Sequence, residues 1–209
     1  MSNVNSSSRM RMTLSIDFVS LITIPFSFSN CNNSKSEYSE KKENENVSLS
    51  KEDLVKRGEY LVNTIGCDHC HTPKKMTDHG PIPDMDRRFM GFPATDSIAE
   101  INKDVLGPGK WILLNNDLTA AVGPWGVSFS ANITSDESGI GTWSFEQFKK
   151  SITEGKYKGM ENSRPVMPPM PWESLNLLEE DDLKAIYEFL MSTKPIENVV
   201  PAYIPPPAM

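Results

Sequence analysis

The stretch Cys67-Asp68-His69-Cys70-His71 decides how this chain is read. Two thiols stand three positions apart and a histidine follows directly. This is the spacing of haem c attachment, in which both thiols add across the vinyl groups of one haem and the adjacent histidine ligates the iron. Two other chemistries use Cys-x-x-Cys. A closed zinc site needs two further Cys or His ligands at suitable spacing. The chain holds only three Cys and three His, and the remaining Cys31 lies far away in a region of different composition. A thioredoxin-like redox pair needs a strand-helix-strand setting that the sequence does not offer. One haem c, attached through Cys67 and Cys70 with His71 as axial ligand, is therefore the expected cofactor.

Outward from the motif, the N-terminal side reads as a helix. Ser50 is a good N-cap. Leu54, Val55, Gly58, Leu61, Val62 and Ile65 form one stripe over Lys51 to about Ile65, and Gly66 supplies the stop. Farther upstream, residues 31–49 are mostly Ser, Asn, Glu and Lys. Such a composition buries too little apolar surface to offset its ordering entropy, so a disordered tether is expected. Residues 1–30 carry Arg9 and Arg11, an apolar run and small residues, the pattern of an export signal. The run is interrupted by Asp17 and Pro25 and falls short of the ~20 apolar residues of a membrane span. Phe28-Ser29-Asn30-Cys31 resembles a bacterial lipoprotein cleavage box with Cys31 as the lipidated residue, although Asn30 stands where a small residue is usual. These features place the protein in the periplasm or cell envelope, with a lipid anchor to a membrane as an option. Residues 50–209 are expected to form one domain with a Pro-rich C-terminal tail.

On the C-terminal side, Thr72-Pro73 turns the chain. His79 lies in a turn-rich stretch and reads as a solvated loop residue. Residues 80–142 are rich in Gly, Pro, Asn and Asp. They are expected to form a long, mostly irregular insertion with one small hairpin, supported by the cofactor. Trp111, Trp125 and Trp143 are candidates either to pack on the macrocycle or to fill the loop core. Ser144-Phe145-Glu146-Gln147 resembles a capping box opening a helix to about Glu154. A last helix is expected from about Glu180 to Met191, with acidic residues 179–182 at its positive end.

A haem iron with one histidine takes a second ligand in a fast electron carrier, and methionine is a common one. Arg164-Pro165-Val166-Met167-Pro168-Pro169-Met170-Pro171-Trp172 offers two methionines in a proline-stiffened loop. The excess of 28 acidic over 21 basic residues, a net charge of −7, disfavours nucleic acid as a partner and suits redox protein partners, donor and acceptor, with basic patches.

Taken together, helix, haem motif, long loop, helix, Met-Pro loop and final helix resemble a class I cytochrome c domain. Gly123-Pro124-Trp125-Gly126-Val127-Ser128, Ala131-Asn132-Ile133-Thr134, Gly139-Ile140-Gly141-Thr142-Trp143 and the Met-Pro loop resemble the cytochrome c domains related to electron-accepting subunits of bacterial alcohol and aldehyde dehydrogenases. The likeness covers about residues 50 to 200. It implies a mainly α, cytochrome c-like fold around one haem. It also implies that the ligand methionine lies a fixed distance before the phrase that opens the final helix, here Leu178-Glu179-Glu180-Asp181-Asp182-Leu183, which selects Met170 over Met167. Glu179 stands where that family carries a capping serine. Arg164, Trp125 and Trp172 are assigned to the haem surroundings. The expected function is that of an extracytoplasmic single-haem electron carrier with His71/Met170 ligation and no bond-making chemistry. Two alternatives are a cytochrome subunit of a larger dehydrogenase, and a haem enzyme or ligand sensor with an exchangeable sixth position.

Overall fold

The computed structural model describes residues 49–206. The expected export signal, Cys31, almost all of the expected tether and the last three residues of the Pro-rich end lie outside them. Helix α1 (Lys51–Ile65) begins where the Ser50 hydroxyl accepts the Asp53 backbone N–H. It ends at Gly66, whose φ of 85° lies in the left-handed region and whose N–H returns to the Val62 carbonyl. That stop feeds the chain directly into α2 (Asp68–His71), one turn that carries the cysteine–histidine motif.

Two short antiparallel sheets follow. β1 (Lys74–Thr77) pairs with β2 (Gly80–Pro83), with Asp78 and His79 at the tip. β3 (Leu113–Leu114), β4 (Ala120–Gly123) and β5 (Gly126–Phe129) form a three-stranded sheet in that order. Among the described residues five α-helices stand beside two small sheets, so helix predominates as expected, and the expectation of one small hairpin in an irregular insertion is corrected. The physical reason is length. Strands of two to four residues show no readable alternation, and β4 and the start of β5 are buried rather than alternating. The sheet is extended by the C-terminal tail. Val127 and Ile204 exchange backbone hydrogen bonds of 2.8 and 3.0 Å, and Gly126 leaves room for that approach, since a Cβ there would stand 2.1 Å from the Ile204 carbonyl oxygen.

α3 (Phe145–Thr153) is capped by Ser144, which accepts the Gln147 N–H. Only half of the expected capping box forms, because the Gln147 side chain donates instead to the Lys158 carbonyl at 2.9 Å. α4 (Trp172–Leu175) is a single turn. α5 (Glu180–Met191) starts at Glu179 with no side-chain cap, as the replacement of serine implies.

The core joins α1 to α5 through Leu54, Leu61, Val62, Ala185, Ile186, Phe189 and Leu190, with Phe89, Ile140 and Phe148 closing around them. Phe89 meets Phe189 edge to face with ring centroids 6.2 Å apart. Trp143 is partly buried against this cluster, and its carbonyl accepts the Tyr187 hydroxyl at 2.7 Å. Trp111 is 71% exposed. The Arg57–Asp182 pair also bridges α1 and α5, but Arg57 is well exposed and solvent-screened pairs contribute little to stability. Apolar burial and close backbone approach hold the two helices together. The closest point is Gly58, where a Cβ would stand 1.9 Å from the Ala185 carbonyl oxygen. Gly58→Ala is expected to push the helices apart and lose about 1–3 kcal/mol of stability. Denaturant unfolding measures this, and a variant as stable as the native chain contradicts the crossing.

Candidate haem-binding site

The site is built on α2. Cys67 follows the left-handed turn at Gly66, and the His71 N–H closes the single helical turn on the Cys67 carbonyl at 3.0 Å. Cys67 and Cys70 therefore stand one turn apart, both half-buried and both free thiols. Burial pushes the Cys67 thiol up to about 11, with the neighbouring Asp68 charge acting in the same direction. Burial also raises Cys70, against the opposing charge of Lys74. Neutral thiols of this kind differ from the depressed-pKa cysteine of a thiol–disulfide redox pair.

His71 is oriented by the backbone. Its Nδ1 lies 2.8 Å from the Ala131 carbonyl oxygen. A carbonyl only accepts, so Nδ1 carries the proton and Nε2 keeps a free lone pair. Burial lowers the His71 pKa, outweighing the opposing effect of that bond, so the ring is neutral near pH 7. His69 is folded back on its own turn, with Nδ1 3.0 Å from the Gly66 carbonyl. His79 is exposed at the hairpin tip, in keeping with a solvated loop histidine.

The motif's own Asp68 anchors the turn to the fold. Arg88 grips it with two parallel bonds, Nε to Oδ1 at 2.9 Å and Nη2 to Oδ2 at 2.6 Å. Thr72 donates to Oδ1 at 2.7 Å and in turn accepts the Phe89 N–H at 3.1 Å. The Arg88 guanidinium also lies 4.3 Å from the centre of the Phe89 ring. Burial alone would raise the Asp68 pKa, but the Arg88 and Thr72 hydrogen bonds win and hold it below the usual carboxylate range. Lys74 donates to the His69 carbonyl at 2.7 Å and to that of Thr72, closing the end of the turn.

The proline-flanked methionines lie in a loop pinned at both sides. On one side the Val166 N–H reaches the Gly155 carbonyl at 2.6 Å and the Tyr157 N–H the Arg164 carbonyl at 3.0 Å. Trp172 lies against Gly155, where a Cβ would stand 2.5 Å from its indole. Arg164 stacks 3.7 Å from the centre of the Tyr157 ring and 5.3 Å from that of Tyr203, and donates to the Pro165 carbonyl at 2.9 Å. On the other side the Ser128 hydroxyl donates to the Pro168 carbonyl at 2.6 Å and accepts the Trp125 indole N–H at 3.2 Å. Met167 and Met170 are both half-buried.

The structure thus gathers Cys67, Cys70 and His71 on one turn, and places Trp125 beside the methionine loop. Arg164 and Trp172 belong to that loop's other attachment, at the end of α3. Sequence reading missed the Asp68–Arg88 pair, the Ala131 carbonyl and Ser128. Ala131 contributes only a backbone oxygen, which leaves no residue-type signal. Arg88 and Ser128 are ordinary polar residues until the fold shows their partners.

The donor set fits a covalently held haem. Two free thiols one turn apart, a neutral imidazole with its lone pair on Nε2 and a thioether-bearing loop are what such a group requires. Comparisons with known proteins point the same way. The chain is 38% identical over 80 residues to a nicotinate dehydrogenase subunit of Pseudomonas putida, covering 38% of this chain and 6% of that protein. It is 30% identical over 143 residues to the gluconate 2-dehydrogenase cytochrome c subunit of Pantoea cypripedii, covering 68% and 24%. It is likewise 30% identical over 147 residues to the cytochrome c subunit of the alcohol dehydrogenase (quinone) of Gluconobacter oxydans, covering 69% and 23%. Its homologues include dehydrogenase cytochrome c subunits. The chain spans about a quarter or less of the length of these relatives. No family model matches it. The relatives favour the dehydrogenase-subunit reading over the independent carrier. Among the described residues no helix is long and apolar enough to cross a membrane.

The Asp68 pKa has a consequence for stability. A carboxylate whose native pKa is depressed stabilises the fold above its unfolded value of about 3.9, and loses that contribution as pH falls through the native value. Arg88→Ala is expected to cost about 1–3 kcal/mol at pH 7 by stranding the carboxylate. The cost is expected to shrink toward the residual packing loss as the pH falls below 4. Unfolding curves of both proteins against pH check this, and a pH-independent difference contradicts the pairing.

Proposed function

We propose that this chain is a haem c-bearing cytochrome that accepts electrons from a dehydrogenase as its cytochrome subunit. In this reading residues 50–209 form a cytochrome c-like domain with one haem, held through Cys67 and Cys70. His71 and Met170 are the axial ligands. Residues 1–30 are an export signal, Cys31 is a candidate for lipidation, residues 31–49 are the tether, and the protein works in the periplasm or at the cell envelope. The observation that carries the reading is the His71–Ala131 bond on a turn that also presents two free thiols. Likeness to cytochrome c subunits over more than two thirds of the chain supports it.

Each residue has a defined task. The two thiols fix the group covalently, so it cannot dissociate. The Ala131 carbonyl sets the His71 tautomer and aims its Nε2. The loop around Met170 offers a weak thioether whose position is stiffened by Pro168, Pro169 and Pro171. A haem c held in this way supplies reversible one-electron transfer. The relatives' names span nicotinate, gluconate and alcohol, so they point to no one substrate.

Isolation of the tagged full chain from its native envelope in mild detergent tests the partner. A stoichiometric dehydrogenase is expected to co-purify, and its substrate is expected to reduce the haem. A chain that purifies alone, with a haem reduced only by other electron carriers, restores the independent carrier. The ligand assignment is tested separately. Met170→Ala is expected to abolish the weak far-red thioether-to-iron absorption band of the oxidised protein, and Met167→Ala to leave it largely intact. The reverse result reassigns the ligand to Met167.

A further inference from the structure

We propose that Ser128 is a positioning residue for the axial methionine, holding the loop that bears it by donating a hydrogen bond to the Pro168 carbonyl. This rests on the reading of that loop as the source of the sixth ligand. Ser128 is 7% exposed on β5, and its hydroxyl has one hydrogen to give. The Pro168 carbonyl at 2.6 Å takes it in preference to the Ala121 carbonyl at 3.4 Å. The hydroxyl oxygen is oriented for this by the Trp125 indole N–H, which donates to it at 3.2 Å. Trp125 is itself fixed. Its ring lies over Gly123, where a Cβ would stand 2.5 Å away, and its carbonyl accepts the Tyr203 hydroxyl.

Three residues along the same segment, the Ala131 carbonyl takes the His71 Nδ1 proton. Ser130, between the two, is secured on both sides, with its N–H on the Thr119 carbonyl at 2.8 Å and its carbonyl accepting from the Phe92 N–H at 3.0 Å. One short, doubly anchored piece of backbone therefore holds the motif histidine at one end and the methionine loop at the other. A thioether is a weak ligand, so a single hydrogen bond to its loop alters its displacement measurably. Loss of one neutral bond is expected to ease displacement by up to about tenfold.

The test uses the full chain with its haem attached, and imidazole as competitor for the iron. Ser128→Ala is expected to keep the covalent haem and the far-red band, but to lose the band at up to about tenfold lower imidazole concentration. Ser128→Thr, which keeps the hydroxyl, is expected to titrate like the native chain. An Ala variant that titrates like the native chain overturns the proposal. Equal weakening in Ala and Thr also overturns it, since packing and not the hydroxyl is then responsible. Failure of the underlying reading looks different. A native protein without the band overturns both readings. A Met170→Ala variant that keeps the band moves the ligand to Met167, on the other side of Pro168, and the Ser128→Ala titration still decides the positioning role.

Discussion

The backbone crossing of α1 over α5 at Gly58 is the constraint from which the rest follows. Without a side chain at Gly58, α1 approaches the Ala185 carbonyl so closely that a Cβ would overlap it. The approach lets Leu54, Leu61 and Val62 bury against Ala185, Ile186, Phe189 and Leu190. It also fixes where α1 ends. Gly66 then reverses the chain in the left-handed region, and the motif turn begins at the next residue. The position of the two thiols is therefore set by helix packing before any cofactor chemistry enters.

From that core, polar ties carry order outward to the site. Phe89 packs edge to face on Phe189 of α5, its neighbour Arg88 grips Asp68 inside the motif, and Thr72 links the same carboxylate to the Phe89 backbone. Buried asparagines tie the irregular segments around residues 90–94 and 132 to the C-terminal tail. Asn198 donates to the Met90 and Phe92 carbonyls at 2.7 and 2.9 Å and accepts the Ala94 N–H at 2.8 Å. Asn132 donates to the Ile196 carbonyl at 2.8 Å. These side chains satisfy backbone groups that irregular segments would otherwise leave unpaired when buried. A stretch that looks like loose loop in sequence is thereby made rigid enough to orient His71.

The legible parts of the sequence were those with local signals. Ser50, the apolar stripe and Gly66 defined α1 to the residue, and Glu180–Met191 was equally plain. Cys67, Cys70 and His71 stood out because their spacing is itself the signal. The sheets were not legible because their strands are only two to four residues long, and the three-stranded sheet also takes a partner, Ile204, from the far C-terminal tail. The supports of the site escaped for a similar reason. Arg88 lies 20 residues from Asp68, and Ala131 lies 60 residues from His71. Trp143 packs partly buried against the core, and Trp111 is exposed to solvent. A tryptophan in a loop carries no mark of which side it will face.

The proposed function stands on a haem held covalently at Cys67 and Cys70. Intact-mass measurement of the denatured protein, purified from a host that matures c-type cytochromes, tests it most directly. The expected result is a mass increase of one haem that survives denaturation and disappears when both cysteines are replaced by alanine. A full-length chain made under the same conditions with no covalently retained haem contradicts it.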